Sequence, residues 1–324
     1  MNDVEVYLYD AKGHDEQLEL DDVDIGQIND KHLLWVNILT RDEELLASTV
    51  AKLDLTDVPC KEVIDDCGPL VINRFETFFR FCINTVITNK NASPEKLMID
   101  FIVGKNFVVT IHEGDVDYFA EFREREKGET QFGELDAESF VATLLDLNIV
   151  SYFLALEQLE REVDEIDEKV LTKDFETDIF LKEMVRLRRD ASKLRRWLLP
   201  HREVFYALAR PDFRQIAESQ SFEHYKMLNQ HFERAVEAIE HSRETVLSIF
   251  ELFATKSAQE TNNLIRKLTL FTLIVGSLGV IAGIFGMNYQ LSYFEDESGF
   301  WFTVGAMAVI ALSWGTIAKV KGWL

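Results

Sequence analysis

The chain has 324 residues, with 34 Lys and Arg against 57 Asp and Glu, for a formal net charge of -23. That balance argues against nucleic-acid binding, which needs basic surface to neutralise phosphate. It leaves two readings, cation attraction or simple solubility. The length accommodates one large soluble domain plus two membrane helices, because the apolar signal is confined to roughly the last sixty residues.

The start, Met1-Asn2-Asp3-Val4-Glu5, lacks the basic and apolar regions of a secretory signal. Cys60, Cys67 and Cys82 form an odd set without metal-ligand spacing and are expected to be free thiols in a reducing compartment. The first 132 residues read as mixed α/β. Val4–Tyr9 alternates like a strand, Leu33–Leu39 is an apolar run around Trp35, and Phe75–Thr88 is rich in aromatic and β-branched residues. Leu97–Ile111 breaks at Gly104-Lys105-Asn106, the pattern of a hairpin. Asp42–Leu53 and Cys60–Asp66 are expected to be helical.

Glu134–Leu199 contains neither Gly nor Pro, and Leu144, Leu147, Val150, Leu154, Leu156, Leu159 and Val163 recur at helical spacing. A break near Thr172–Thr177 predicts an antiparallel helical hairpin. Its first helix is acidic, from Glu157 to Glu168, and its second is basic, from Arg186 to Arg196. Opposite charge can set the pairing, although two solvated faces explain it equally well. After Pro211 the chain again lacks Gly and Pro until Gly276, which predicts one stalk helix rising on the order of 100 Å and running on into the bilayer.

Leu268–Met287 and Phe300–Ala318 are uncharged and long enough for a hydrocarbon core of about 30 Å. Arg266 and Lys267 precede the first span, Lys319 and Lys321 follow the second, and the loop between has no Lys or Arg. The positive-inside rule puts both termini in the cytoplasm. The expected boundaries are 1–133 for a cytoplasmic α/β domain, 134–210 for the hairpin, 211–267 for the stalk and 268–287 for the first span. An external loop at 288–299, the second span at 300–318 and a basic tail at 319–324 complete them. The fold class is an α+β cytoplasmic domain followed by a long helical stalk and two C-terminal transmembrane helices.

Asn262, Ile265, Thr269, Thr272, Gly276, Gly279, Gly283 and Gly286 share one face of the first span, at spacings alternating between three and four. Two explanations stand. Small residues permit close helix packing, and Gly279-x-x-x-Gly283 matches that motif. Alternatively, several copies surround an aqueous path, with Ile265 and Leu268 near its cytoplasmic entrance as an apolar gate. Two crossings cannot enclose a pore, so that reading requires an oligomer. Glu237, Glu244 and Glu251 recur every seven residues and approach the phase of the stripe, either as carboxylate rings or as an exposed charged face. No phosphate-binding Gly-rich loop, nucleophile motif or His/Cys metal spacing suggests an enzyme.

Gly286-Met287-Asn288, ending the first of two C-terminal spans, resembles the signature of the CorA family of divalent-cation channels. The likeness extends through Thr261-Asn262-Asn263, Lys267-Leu268-Thr269 and Ile281-Ala282-Gly283-Ile284-Phe285, and to the basic ending Lys319-Val320-Lys321-Gly322-Trp323-Leu324. The resemblance implies a homopentameric funnel in the cell (inner) membrane, with five copies of the first span lining the pore. It implies a filter at Gly286, Met287 and Asn288, where an Asn288 ring holds a hydrated ion through its bound water. It implies Mg2+ as cargo, with Co2+ and Ni2+ also carried, no cofactor, and lipid as the surroundings. Asn262 then forms an inner polar ring, and Ile265 stands where the family usually has Met. The loop departs from the family's Met-Pro-Glu-Leu-like run, and Glu295, Asp296 and Glu297 supply cation-attracting charge from a shifted position. Gly276 and Ser277 stand where members often have Met and Pro. No pair matches the family's regulatory aspartates. The altered loop and His224, His231 and His241 motivate a zinc-transporting alternative of the related ZntB branch; a non-transporting membrane scaffold is the third reading.

Overall fold

The computed structural model describes residues 3–10, 16–23, 28–29, 31–53, 55, 58, 72–88, 93–126, 136–172, 177–217, 219, 221–287 and 297–322. The chain divides into two compact units, Met1–Leu247 and Ser248–Leu324.

The first unit is built on a seven-stranded sheet of β1 (Val4–Asp10), β2 (Glu16–Leu18), β3 (His32–Ile38), β4 (Asn73–Arg74), β5 (Phe78–Ile87), β6 (Glu95–Gly104) and β7 (Phe107–His112). Their spatial order is β2-β1-β3-β7-β6-β5-β4. Among the described residues only the β3–β7 pairing is parallel; the others are antiparallel. The expected hairpin closes with a two-residue turn, Lys105-Asn106, between β6 and β7. Gly104 is required there by close approach, since a Cβ would collide with the Phe107 ring.

Alternation along β3 sends its side chains to two different cores. Leu34, Val36 and Ile38 join Ile102, Val109 and Ile111 under α1 (Glu43–Lys52), which contributes Leu46 and Val50. Asp42 caps that helix by accepting from the Leu45 N–H at 2.9 Å. Trp35 points the other way, into Phe119 and Phe122 of α2 (Asp117–Glu126) and Phe140 of α3 (Ala137–Thr172). Its indole N–H donates to Thr110 Oγ1 at 2.9 Å. At the far side of β6, buried Asp100 bridges Arg41 and Arg80 at 3.1 and 3.0 Å.

α3 covers the sheet, with α4 (Thr177–Leu198) packed along it. The expected break therefore falls between α3 and α4. The buried face of α3 runs through Leu145, Asn148, Ile149, Tyr152, Leu156 and Leu159, whereas Val150 and Leu154 of the expected series are exposed. The correction has a polar cause. Asn148 Nδ2 and Tyr152 Oη both donate to the Asn84 carbonyl of β5, at 3.3 and 3.1 Å, and so turn the helix. Across the hairpin, Arg186 meets Glu162 at 2.6 Å and Lys169 meets Glu183 at 4.0 Å. The basic helix also serves the stalk, where Arg195 pairs with Glu240 at 3.1 Å.

A 3-10 turn at Leu199–His201 leads to α5 (Arg202–Leu208), α6 (Arg214–Ala217) and then α7 (Phe222–Phe285). The stalk helix thus begins later than the absence of Gly and Pro suggested. Phe213 and Ile216 are drawn fully into the core. Ser219 Oγ then takes the Ser221 N–H, a local side-chain bond that competes with helix. Asp136 Oδ1 accepts from Ser139 N at 2.8 Å, capping α3, and from Ser221 Oγ at 2.9 Å, tying the start of α7 to the start of α3.

Cys82 is disulfide-bonded, so the free-thiol expectation is corrected and no longer argues for a reducing compartment. The expected helix at Cys60–Asp66 lies outside the described residues.

Candidate functional site

The second unit contains the end of α7 and α8 (Glu297–Val320). On α7, Leu270 is buried and Leu273, Ile274, Ser277, Leu278 and Ile281 are half-buried. At about 100° per residue these positions form one face, roughly opposite the stripe. The stripe itself, Asn262, Ile265, Thr269, Thr272, Gly276, Gly279, Gly283 and Gly286, is exposed throughout, and so is Leu268. A Cβ added at Gly276, Gly279 or Gly283 would meet nothing within 4 Å. Within one chain, then, nothing among the described residues requires these glycines to be small.

The hydroxyls on the stripe are already partly used. Thr269 Oγ1 donates to the Ile265 carbonyl and Thr272 Oγ1 to the Leu268 carbonyl, each at 2.8 Å. With the proton turned inward, each oxygen presents lone pairs along the open face. That polarity suits the water shell of a cation, whose waters point their hydrogens outward.

The helix stops at Phe285. Gly286 N–H donates to the Ala282 carbonyl at 2.8 Å, and Met287 N–H to Ile284 at 3.3 Å. A Cβ on Gly286 would sit 3.1 Å from the Ala282 oxygen, tighter than ordinary contact. Glycine there lets the chain leave the helix without displacing that carbonyl. Met287 is exposed within the chain. Asn288, Glu295 and Asp296 lie outside the described residues, and Glu297 is described only as the first residue of α8.

Further up α7, Glu237, Glu244 and Glu251 are all exposed. Neighbouring Glu233 and Glu240 are instead held by Arg202 and Arg195, at 2.8 and 3.1 Å. The three histidines do not converge. His231 faces Asp146 at 3.1 Å, while His224 and His241 are exposed. Among the described residues no group of three His, Cys, Asp or Glu side chains could hold a metal ion.

Two helix ends in the first unit carry groups that sequence reasoning did not single out. His201 is fully buried, and its Nε2 accepts the Asn84 N–H at 2.7 Å, which requires a neutral ring. Burial pushes its pKa down to about 3. Glu138, at the start of α3, is pushed up to about 7, again by burial first. No motif marks either residue, because both owe their state to segments distant in sequence.

The family profile described as CorA-like Mg2+ transporter protein matches residues 30–319. The chain belongs to the CorA-like family. Among curated relatives, the cobalt/magnesium transport protein CorA of Thermotoga maritima is 26% identical over 253 residues, covering 77% of this chain and 71% of the relative. The complete structure of the CorA magnesium transporter from Methanocaldococcus jannaschii aligns over 98% of both chains, with a TM-score of 0.82 at 19% identity. The ZntB cytoplasmic domain from Vibrio parahaemolyticus covers 79% of this chain and 98% of that domain, with a TM-score of 0.62 at 15% identity. At such identities the structural likenesses establish the CorA fold and nothing finer. The family comprises channels and transporters, so this CorA-like chain is not an enzyme.

Proposed function

We propose that this chain forms a homopentameric divalent-cation channel in the cell membrane, carrying Mg2+ first and Co2+ and Ni2+ as well. The observation that carries the reading is the open stripe on α7, opposite the half-buried face and ending at Gly286-Met287-Asn288. Five copies with the stripe inward would give a path lined by Thr lone pairs and glycine backbone. Rings of Ile265 and Leu268 at the cytoplasmic end would close it by expelling water. A ring of Asn288 amides at the external mouth would bond the water shell of Mg2+, an ion that dehydrates reluctantly. Glu295, Asp296 and Glu297 outside, and Glu237, Glu244 and Glu251 inside, would raise the local cation concentration. The basic flanks place both termini in the cytoplasm.

The test is ion flux into proteoliposomes for Mg2+, Co2+, Ni2+ and Zn2+, with and without a pH gradient. Asn288→Ala is expected to lower Mg2+ uptake at least about tenfold, or roughly 1.4 kcal/mol of barrier, while the oligomer survives on size exclusion. Unchanged uptake would remove Asn288 from the filter. Zinc flux that excess Mg2+ fails to suppress would favour the ZntB-type alternative. No flux of any ion from a well-inserted protein would leave the scaffold reading.

A further inference from the structure

A cavity of about 420 Å3 opens on the first unit between the β6–β7 turn, the segment before β5, the start of α3 and the residues around α6. That size falls within the range of small-molecule sites. Its buried lining is Phe79, Val103 and Ala137, together with Glu138. Glu138 is only 9% exposed.

Three acids line this cavity, Glu76 at its exposed rim and Asp136 and Glu138 deeper in, and the two deeper ones differ in kind. Asp136 takes three donors on its Oδ1, the Ser139 N–H, the Ser139 hydroxyl and the Ser221 hydroxyl. For Glu138 the hydrogen bond resolved comes from its own backbone N–H. A carboxylate so buried and so weakly bonded is costly unless a proton or a cation joins it. A metal ion is a poor fit, because no ligating set of three exists among the described residues. An ammonium group supplies three donors without demanding fixed coordination. At the rim, Lys105 and Arg214 are both exposed and positive. The cavity is therefore acidic at depth, and its mouth carries two cations against the single carboxylate of Glu76.

We propose that this cavity binds a small zwitterion of the amino-acid type, its ammonium against Glu138 and its anionic end toward Lys105 and Arg214. The occupied site would adjoin the anchor of the stalk, since Tyr225 of α7 donates its hydroxyl to the Glu138 carbonyl at 2.8 Å. The charged and titratable groups around Glu138 are Asp136, Lys105 and Tyr225, with His32, Glu76 and Arg214 on the walls. Binding needs Glu138 ionised, whereas the free pocket holds its proton up to about pH 7. Affinity should therefore rise as pH increases through neutrality.

Calorimetric titration of the full-length protein in detergent with 4-aminobutyrate tests this directly. The expected tightening between pH 6 and pH 8 is about tenfold, the ratio of ionised fractions for a group titrating near 7. Butyrate, which lacks the ammonium, should not bind, and butylamine, which lacks the carboxylate, should bind more weakly. Glu138→Gln should weaken 4-aminobutyrate at least about tenfold and abolish the pH slope. Glu160→Gln, exposed on α3 and outside the cavity lining, should stay within about twofold. Absence of binding to about 10 mM at pH 8 would overturn the proposal. So would butyrate binding as well as 4-aminobutyrate, a slope that survives in Glu138→Gln, or displacement of the zwitterion by Mg2+. The butyrate, butylamine and pH comparisons need only the unaltered protein, so they decide the matter even if a variant misfolds.

Discussion

α3, α7 and α8 are all long and apolar enough to cross a membrane, yet their apolar stretches have different surroundings: 56% of the residues are buried in α3, 6% in α7 and 0% in α8. The polar side chains show why. In α3, Asn148 and Tyr152 donate across to β5, and Ser151 meets Thr85. In α7 and α8, the hydroxyls of Thr269, Thr272, Ser277, Thr303, Ser313 and Thr316 bond back to carbonyls of their own helix. The side chains that reach β5 fix α3 to the sheet, whereas a hydroxyl bonded to its own helix, as Thr143 and Ser151 also are in α3, needs no outside partner and tolerates a solvent that offers no hydrogen bonds. Hydropathy alone does not separate these cases.

The largest expected effect breaks the core side of that contrast. Trp35→Ala removes the ring against which Phe119, Phe122 and Phe140 pack, and should cost about 3–5 kcal/mol. Near-UV circular dichroism during urea unfolding of the full chain would measure it. An effect comparable to a surface substitution would mean that α2 and α3 do not depend on this contact.

Acid attacks the same region through His201. Its folded pKa of about 3 lies below the ordinary value of 6.5, so the unfolded state binds the extra proton. Its contribution to stability is full above about pH 6.5 and is lost as pH falls toward 3, a change on the order of 4 kcal/mol. Urea midpoints of wild type and His201→Gln across that window should converge as pH falls. Parallel curves would show that the ring is not buried neutral.

A matched pair of substitutions sharpens the contrast itself. Val309→Arg, exposed near the middle of α8, should cost about 3 kcal/mol of membrane insertion. Val150→Arg, exposed on α3, should change folding stability by less than about 0.5 kcal/mol. A membrane-insertion assay reads the first and a urea midpoint the second; equal tolerance at both sites would undo the distinction. The smallest effect is expected from Arg186→Ala, which releases a part-exposed bond to Glu162 and should cost under about 1 kcal/mol. A double-mutant cycle with Glu162→Ala would isolate it.

Much of the fold was legible in the chain. β1 follows an alternating run, β3 an apolar run, β5 a stretch rich in aromatic and β-branched residues and the β6–β7 hairpin its Gly-bearing turn, and α1 lies within the expected Asp42–Leu53. The α3–α4 break also falls where the pattern placed it. The buried face of α3 was misjudged because apolar spacing counts Val150 and Leu154 but is blind to the pull of Asn148 and Tyr152 on β5. The late start of α7 was missed because Phe213, Ile216 and Ser219 break a helix without any Gly or Pro. The shared face of the stripe was readable, since helical phase depends only on local spacing, whereas its exposure in one chain is a property of the packing.

Sequence by itself determined the family, through Gly286-Met287-Asn288 set between two uncharged spans, and the order of sheet, hairpin, stalk and spans, because these depend on periodicity and composition. Tertiary structure alone decided which apolar helix belongs to the core, which carboxyl is buried beside its own backbone N–H, and which histidine must stay neutral. Those properties arise from groups far apart in the chain, Asn84 with His201 and Glu138 with Tyr225, whose burial and hydrogen bonds exist only once the segments meet.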